Sequence, residues 1–167
     1  MTQDEIYLSV IAEFGPALVR LARAYEQDAD QRRDLLQDVH FALWRSFAGF
    51  AGQCSMRTWV YRVAHNTAIS ARVRRRRARL VSLEELAETP SADDPEHAVG
   101  NANALARLGM LIRCLSSPDD QVMLLYLEEV DAASIAEITG LSAGAVATRI
   151  HRIKALLSRQ FRQGGTQ

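Results

Sequence analysis

From Arg57 to Arg79 the chain runs without a glycine or a proline, and this stretch favours one long helix over any other local structure. At 1.5 Å per residue such a helix is roughly 35 Å long. Val60, Ala64, Thr67 and Ala71 fall on one side, and Trp59, Arg62, Asn66 and Ser70 on another. Its first half offers Trp59, Tyr61 and the amide of Asn66, groups that stack on bases or hydrogen-bond to their edges. Its second half is nearly all guanidinium (Arg72, Arg74, Arg75, Arg76, Arg77), suited to phosphates. Two readings stand on these residues alone. One is a face made for nucleic acid; the other is an amphipathic core helix followed by a solvated arginine run.

Charge is distributed in a way that bears on this choice. The 167 residues carry 20 basic and 20 acidic side chains, but not evenly. Residues 1–80 hold 13 basic and 8 acidic groups, residues 81–140 hold 2 and 12, and residues 141–167 hold 5 and none. Two basic ends flank an acidic middle, as expected of two separate contacts with a polyanion. Every basic residue but Lys154 is arginine, which favours bidentate contacts and is equally a mark of a GC-rich genome. An apolar fraction of 48% is ample for a buried core. The longest apolar runs are far too short to span a bilayer, and Met-Thr-Gln-Asp-Glu lacks a signal-peptide pattern, so a cytoplasmic protein without membrane insertion is expected. Cys54 and Cys114 have no CxxC or paired histidines nearby. Neither a metal site, a cofactor nor a disulfide framework is expected, and both thiols read as small half-buried hydrophobes.

Taken in order, residues 4–25 read as a helix (Ile6, Val10, Phe14, Leu18, Leu21, Ala22, Tyr25) with a break or kink at Gly15-Pro16. A turn over 27–30 leaves Asp30 as the candidate N-cap of a second helix, clearest over Asp34–Arg45. Its core face is Leu36, Val39, Leu43 and Phe47. Its other face, Asp34, Gln37, Asp38, Phe41 and Arg45, mixes carboxylates with an aromatic. That face suits a protein partner better than DNA, because carboxylates repel phosphate; the alternative is a solvated face with Phe41 tucked into the bundle. Residues 48–56 form a glycine-bearing loop able to bring backbone close to a ligand. Residues 81–104, rich in Glu and Asp with Pro90 and Pro95, read as a flexible acidic linker holding one short helix around Ser82–Ala87. Fully extended, it reaches ~80 Å.

The last third reads as helices around 105–115, 118–128, 132–139 and 143–161. Within it, Ser134–Arg152 is the sharpest local pattern. Gly140 can take the left-handed conformation that ends a helix, Leu141 plugs the corner, and Ser142 can cap the next helix. Val146, Ile150, Ile153 and Leu157 then point inward, leaving Thr148, Arg149, His151 and Arg152 elsewhere. This is a helix-turn-helix, with an ordinary αα-corner as the alternative.

Together these segments resemble a group IV, extracytoplasmic-function (ECF) sigma factor, from about Leu21 to Phe161. Asp34-Leu-Leu-Gln-Asp-Val with Leu43-Trp44 is similar to the family's segment that docks on the β′ clamp helices of RNA polymerase. The resemblance thus implies core binding by Asp34, Gln37, Asp38, Phe41, Trp44 and Arg45. Residues 57–68 resemble its −10 melting and recognition segment, implying DNA contacts by Arg57, Trp59, Tyr61, Arg62, Asn66, Arg72, Arg74, Arg75 and Arg76. The loop before them resembles the one that holds a base flipped from the non-template strand. Residues 134–152 resemble the −35 reader, implying contacts by Ser142, Gly144, Thr148, Arg149, His151 and Arg152. Pro118–Tyr126 resembles the helix entering that domain. The implied architecture is all-α, with two small helical domains: sigma region 2 over 1–80 and sigma region 4 over 105–167, joined by the 81–104 linker. The implied partners are core RNA polymerase (β′ clamp helices and β flap), promoter DNA and an anti-sigma factor. The chain departs from the family's pattern at His40, where a large apolar residue is usual, at Ala145 and Ala147 in place of polar residues, and at Gln53-Cys54 in place of a Gly-Glu pair.

Two other classes compete. A stand-alone helix-turn-helix regulator with an N-terminal sensor or dimerisation domain would bind DNA unaided. An enzyme built on a Cys54–His65 thiol–imidazole pair lacks anything in the sequence to orient it.

Overall fold

The computed structural model describes residues 2–85 and 101–163, and within them the chain is helical throughout, with no strand. The chain divides into two compact units, Met1–Glu96 and His97–Gln167. Each builds its own core, as expected of an all-α chain with two small helical domains.

The first unit packs three helices: α1 (Gln3–Tyr25), α2 (Ala29–Ser46) and α3 (Met56–Glu85), with a single 3-10 turn at Phe47–Gly49. α1 starts with a capping box, in which the Thr2 hydroxyl accepts from the Glu5 amide and the Glu5 carboxylate accepts from the Thr2 amide. The break expected at Gly15-Pro16 does not occur, and α1 runs through Pro16 as one helix. Proline removes one backbone bond at a cost of ~3 kcal/mol. Pro16 and Ala12 lie on the exposed side, while Phe14, Ala17, Leu18 and Leu21 are buried on the other. Their burial, at about 1.5–3 kcal/mol for each large side chain, outweighs the loss.

The α2 cap is Asp28, whose carboxylate accepts from the amides of Asp30 and Gln31, and not Asp30 as expected. The core side of α2 is Leu35, Val39 and Leu43; Leu36, expected in that set, is only half-buried. They meet Val60, Tyr61, Ala64 and Ala68 of α3 and Val10, Phe14 and Leu18 of α1 in the core of the bundle. Ser55 starts α3 by accepting from the Thr58 amide at 3.0 Å.

The second unit contains α4 (Asn101–Arg113), α5 (Asp119–Leu127), α6 (Ala132–Thr139) and α7 (Ala143–Gln163). Ile112, Met123, Ile153 and Leu157 form a core cluster, flanked by Leu108, Leu111, Leu115, Leu124 and Tyr126. Val122, Leu125, Ile135 and Val146 are also fully enclosed. Helix occupies both ends of the expected linker, since α3 extends to Glu85 and α4 begins at Asn101. The rest of that linker, 86–100, and the end of the expected Ser82–Ala87 helix lie outside the described residues.

Candidate nucleic-acid interface

On α2, Asp34, Gln37, Asp38, Phe41, Trp44 and Arg45 are all exposed. Phe41 is not tucked into the bundle; it is 59% exposed. It stacks on Trp44 with ring centroids 6.5 Å apart and planes 23° apart, and the Arg45 guanidinium sits 5.6 Å from its centre. Aromatic surface held open beside carboxylates is what a protein partner can bury. The start of α1 fixes this plate, which sequence reasoning missed. The Trp44 indole N–H donates to Asp4 at 2.8 Å, and the Gln3 amide donates to the Trp44 carbonyl at 2.6 Å. The Thr-x-x-Glu spacing at residues 2–5 was the available signal, because a capping box fixes where Gln3 and Asp4 point. The family-atypical His40 lies alongside, half-buried, with Nδ1 2.9 Å from the Tyr7 hydroxyl and the two rings edge to face. Burial holds its pKa below the usual histidine value.

The loop before α3 is stapled by its own glutamine. Gln53 donates to the Gly49 carbonyl and accepts from the Ala51 amide, each at 3.0 Å, while Gly52 takes a positive φ of 77°. Trp59 is half-buried beneath this loop, its indole N–H donating to Ser46 Oγ at 2.9 Å and its ring 5.2 Å from that of Phe50. The Arg62 guanidinium lies 5.7 Å from the Trp59 ring centre. Tyr61, expected to face DNA, is 2% exposed and packs edge-on against Phe14, so no base can stack on it. Tyr and Trp read alike in sequence because both carry an apolar body; only packing separates a core wall from a surface plate. Arg57 and Asn66 are exposed. His65 is buried, with Nδ1 2.6 Å from the Tyr25 hydroxyl. That engagement gives the imidazole a structural partner in place of the thiol of Cys54.

The arginine run divides by what holds it. Arg74 bridges to Asp38 of α2 at 3.2 Å, an exposed pair. Arg75 is half-buried, ion-paired with Glu26 and donating to Gln31 at 3.1 Å. Arg72 lies over the Tyr25 ring. Arg76, Arg77 and Arg79 are exposed. Tyr25, Arg72, Arg75, Arg76 and Arg79 line a basic hollow of about 680 Å³ that includes Glu26.

In the second unit the Asp131 carboxylate caps α6 by accepting from the Ser134 amide at 3.0 Å and its hydroxyl at 2.7 Å. The hydroxyl bond, first, and the amide bond lower the Asp131 pKa. Gly140 ends α6 in the left-handed region (φ 76°, ψ 9°), and Ser142 Oγ accepts from the Ala145 amide at 3.1 Å at the start of α7. This is the expected helix-turn-helix. Ser142, Gly144, Thr148, His151 and Arg152 are exposed. The Thr148 hydroxyl is engaged by its own helix, donating to the Gly144 carbonyl at 2.9 Å. Arg149 and Arg152 both bond to the carboxylate of Asp119 on α5, a residue sequence reasoning passed over because the partners lie 30 and 33 positions apart.

Comparison with known proteins fits this geometry. Residues 10–79 match Sigma-70 region 2, and residues 105–157 match Sigma-70, region 4. The chain is 30% identical over 161 residues to the RNA polymerase sigma factor CnrH of Cupriavidus metallidurans, covering 89% of this chain and 83% of CnrH. It is 28% identical over 148 residues to the ECF RNA polymerase sigma factor SigG of Mycobacterium tuberculosis, covering 74% of this chain but only 40% of SigG. Its fold is that of the sigma factor RpoE, solved in complex with the anti-sigma factor NepR from Bartonella quintana. The TM-score is 0.74 at 18% identity, over 95% of this chain and 98% of that one. Both sigma regions, in this order, and a 30% identical relative aligned over most of its length place the chain in one family: it belongs to the extracytoplasmic-function sigma factors of RNA polymerase.

Proposed function

We propose that the protein is an alternative sigma factor that binds core RNA polymerase, directs it to −35 and −10 promoter elements, and helps melt the DNA. The observation that carries this reading is in the first unit, where an exposed carboxylate-and-aromatic face on α2 lies on the same three-helix bundle as the exposed arginines of α3. A regulator that binds DNA alone has no evident use for that face; a factor that must hold polymerase and DNA together needs both.

In this reading region 2 spans 1–80 and region 4 spans 105–167. Asp34, Gln37, Asp38, Phe41, Trp44 and Arg45 meet the β′ clamp helices, with Phe41 and Trp44 as the buried anchors. Arg57, Trp59, Arg62 and Asn66 face the −10 element, Trp59 giving a partly open indole edge near the loop that would take a flipped base. Stacking on such a platform is worth ~1–3 kcal/mol per base. Arg72, Arg74, Arg75 and Arg76 neutralise phosphates, and Ser142, Gly144, Thr148, Arg149, His151 and Arg152 lie at the −35 element. Two modest DNA contacts become strong together once polymerase fixes their separation, because the second contact is then intramolecular. The chain supplies binding and no catalytic chemistry, acts in the cytoplasm, and presents surfaces an anti-sigma factor could mask, as NepR is bound to RpoE in the solved complex. No helix among the described residues is long and apolar enough to cross a membrane.

The test is binding of the full chain to bacterial core polymerase without DNA, beside an Asp38→Arg variant. The expected result is tight binding that the variant loses. Absence of core binding, together with tight sequence-specific binding to duplex DNA alone, overturns the proposal in favour of a stand-alone regulator.

A further inference from the structure

Asp119 opens α5 and is 8% exposed. Its two oxygens are divided between two arginines of α7: Oδ1 accepts from Arg149 and Oδ2 from Arg152. These arginines are three residues apart and so share one flank of the helix. Their side chains differ in access, Arg149 being 32% exposed and Arg152 63%. A buried carboxylate that holds two guanidiniums cancels one of their two charges and fixes the planes of both.

The remainder of the exposed α7 start is poor in groups that read bases. Ala145 and Ala147 carry no polar atom, Gly144 has no side chain, and the Thr148 hydroxyl is committed to the Gly144 carbonyl. Discrimination at this helix therefore depends on how few donors are presented and how rigidly. A free arginine pair would grip any phosphate; a fixed pair with half its charge cancelled offers donors in one direction only.

We propose that Asp119 is a specificity-determining positioning residue of the C-terminal unit: it sequesters Arg149, orients Arg152 toward the DNA, and suppresses sequence-independent capture of phosphate. This rests on the reading of α7 as the promoter-reading helix. Arg149 is then a strut and Arg152 the contact, although their positions in the helix-turn-helix pattern make them look alike.

The experiment is fluorescence anisotropy of the full chain bound to core polymerase on two duplexes, one selected from a randomised pool by the wild-type complex and one scrambled, across a salt series. For Asp119→Asn, which keeps the shape and removes the charge, tighter binding to the scrambled duplex is expected. The slope of log K against log salt should steepen by ~0.9, the value of one added phosphate contact. The preference for the selected duplex should fall about 3-fold or more, within the range one base contact provides. A merely structural role would weaken both duplexes with no steeper slope, and that result overturns the proposal. Arg149→Gln and Arg152→Gln keep the test decisive should Asp119→Asn fold poorly. Arg152→Gln should flatten the slope by ~0.9 and Arg149→Gln by clearly less; equal flattening by both overturns the sequestration of Arg149. Failure of the wild-type complex with core polymerase to select any duplex would overturn the promoter-reading role of α7 itself, an outcome distinct from a wild type that selects and an Asp119→Asn that behaves like it.

Discussion

Both units present arginines on a helix, yet they hold them differently. In the first, Arg76, Arg77 and Arg79 stand exposed beyond the tethered Arg74 and Arg75; the exposed Asp38 holds Arg74, and the largely enclosed Glu26 is ion-paired with Arg75. In the second, a single buried aspartate takes two arginines of the helix expected to touch DNA. The lesson is that a count of basic residues overstates the contact surface where cations serve the core, and is a fair guide where they do not. The division suits the two tasks. Melting needs phosphate neutralisation without regard to sequence, whereas a −35 reader gains from restraint.

The largest expected effect sharpens the first side of this comparison. Phe41→Ala with Trp44→Ala removes the exposed aromatic plate and should weaken core-polymerase binding about 30-fold or more, the ~2 kcal/mol typical of a hot spot. Titration calorimetry should show this while the variant stays folded, because Phe41 is 59% exposed and Trp44, 39% exposed, is tied to the start of α1 and not part of the buried core. Next, Arg149→Ala leaves a buried carboxylate with one of its two cations and should cost the second unit about 1–3 kcal/mol in chemical denaturation. The matching cut in the first unit, Arg74→Ala, breaks an exposed pair and should cost less than ~1 kcal/mol. Equal costs would abolish the distinction between strut and surface cation. The smallest effect is a pH slope. His40 has its folded-state pKa lowered by burial, so the unfolded chain takes up the proton first. Its contribution is intact above the ordinary histidine value of 6.5 and is lost as pH falls through the lower folded value. Denaturation of His40→Leu between pH 7.5 and 5 should show a flatter profile than wild type.

How much of this was legible in the sequence depends on the range of the forces involved. The span of α6 was readable to the residue, Ala132–Thr139, because the Asp131 cap and the left-handed Gly140 bound it chemically. The outward face of α2 was readable because carboxylates and core residues alternate at helical spacing. Pro16 misled because its cost is local while the burial that outweighs it is tertiary. Asp30 misled for a related reason, since Asp28 is an equally good cap and only the path of the turn selects it. Tyr61 was taken for a DNA contact because nothing local separates a buried ring from an exposed one, and Asp119 was missed because its partners are distant in the chain. The errors thus concentrate where a side chain's role is set by another helix.

The most direct test of the account is transcription by core polymerase on a library of randomised promoters, with and without this protein. The account predicts that the protein enriches templates carrying two separated sequence blocks near −35 and −10, and that it does so only in the presence of core. Enrichment of a single block bound without polymerase, or no enrichment at all, would contradict it.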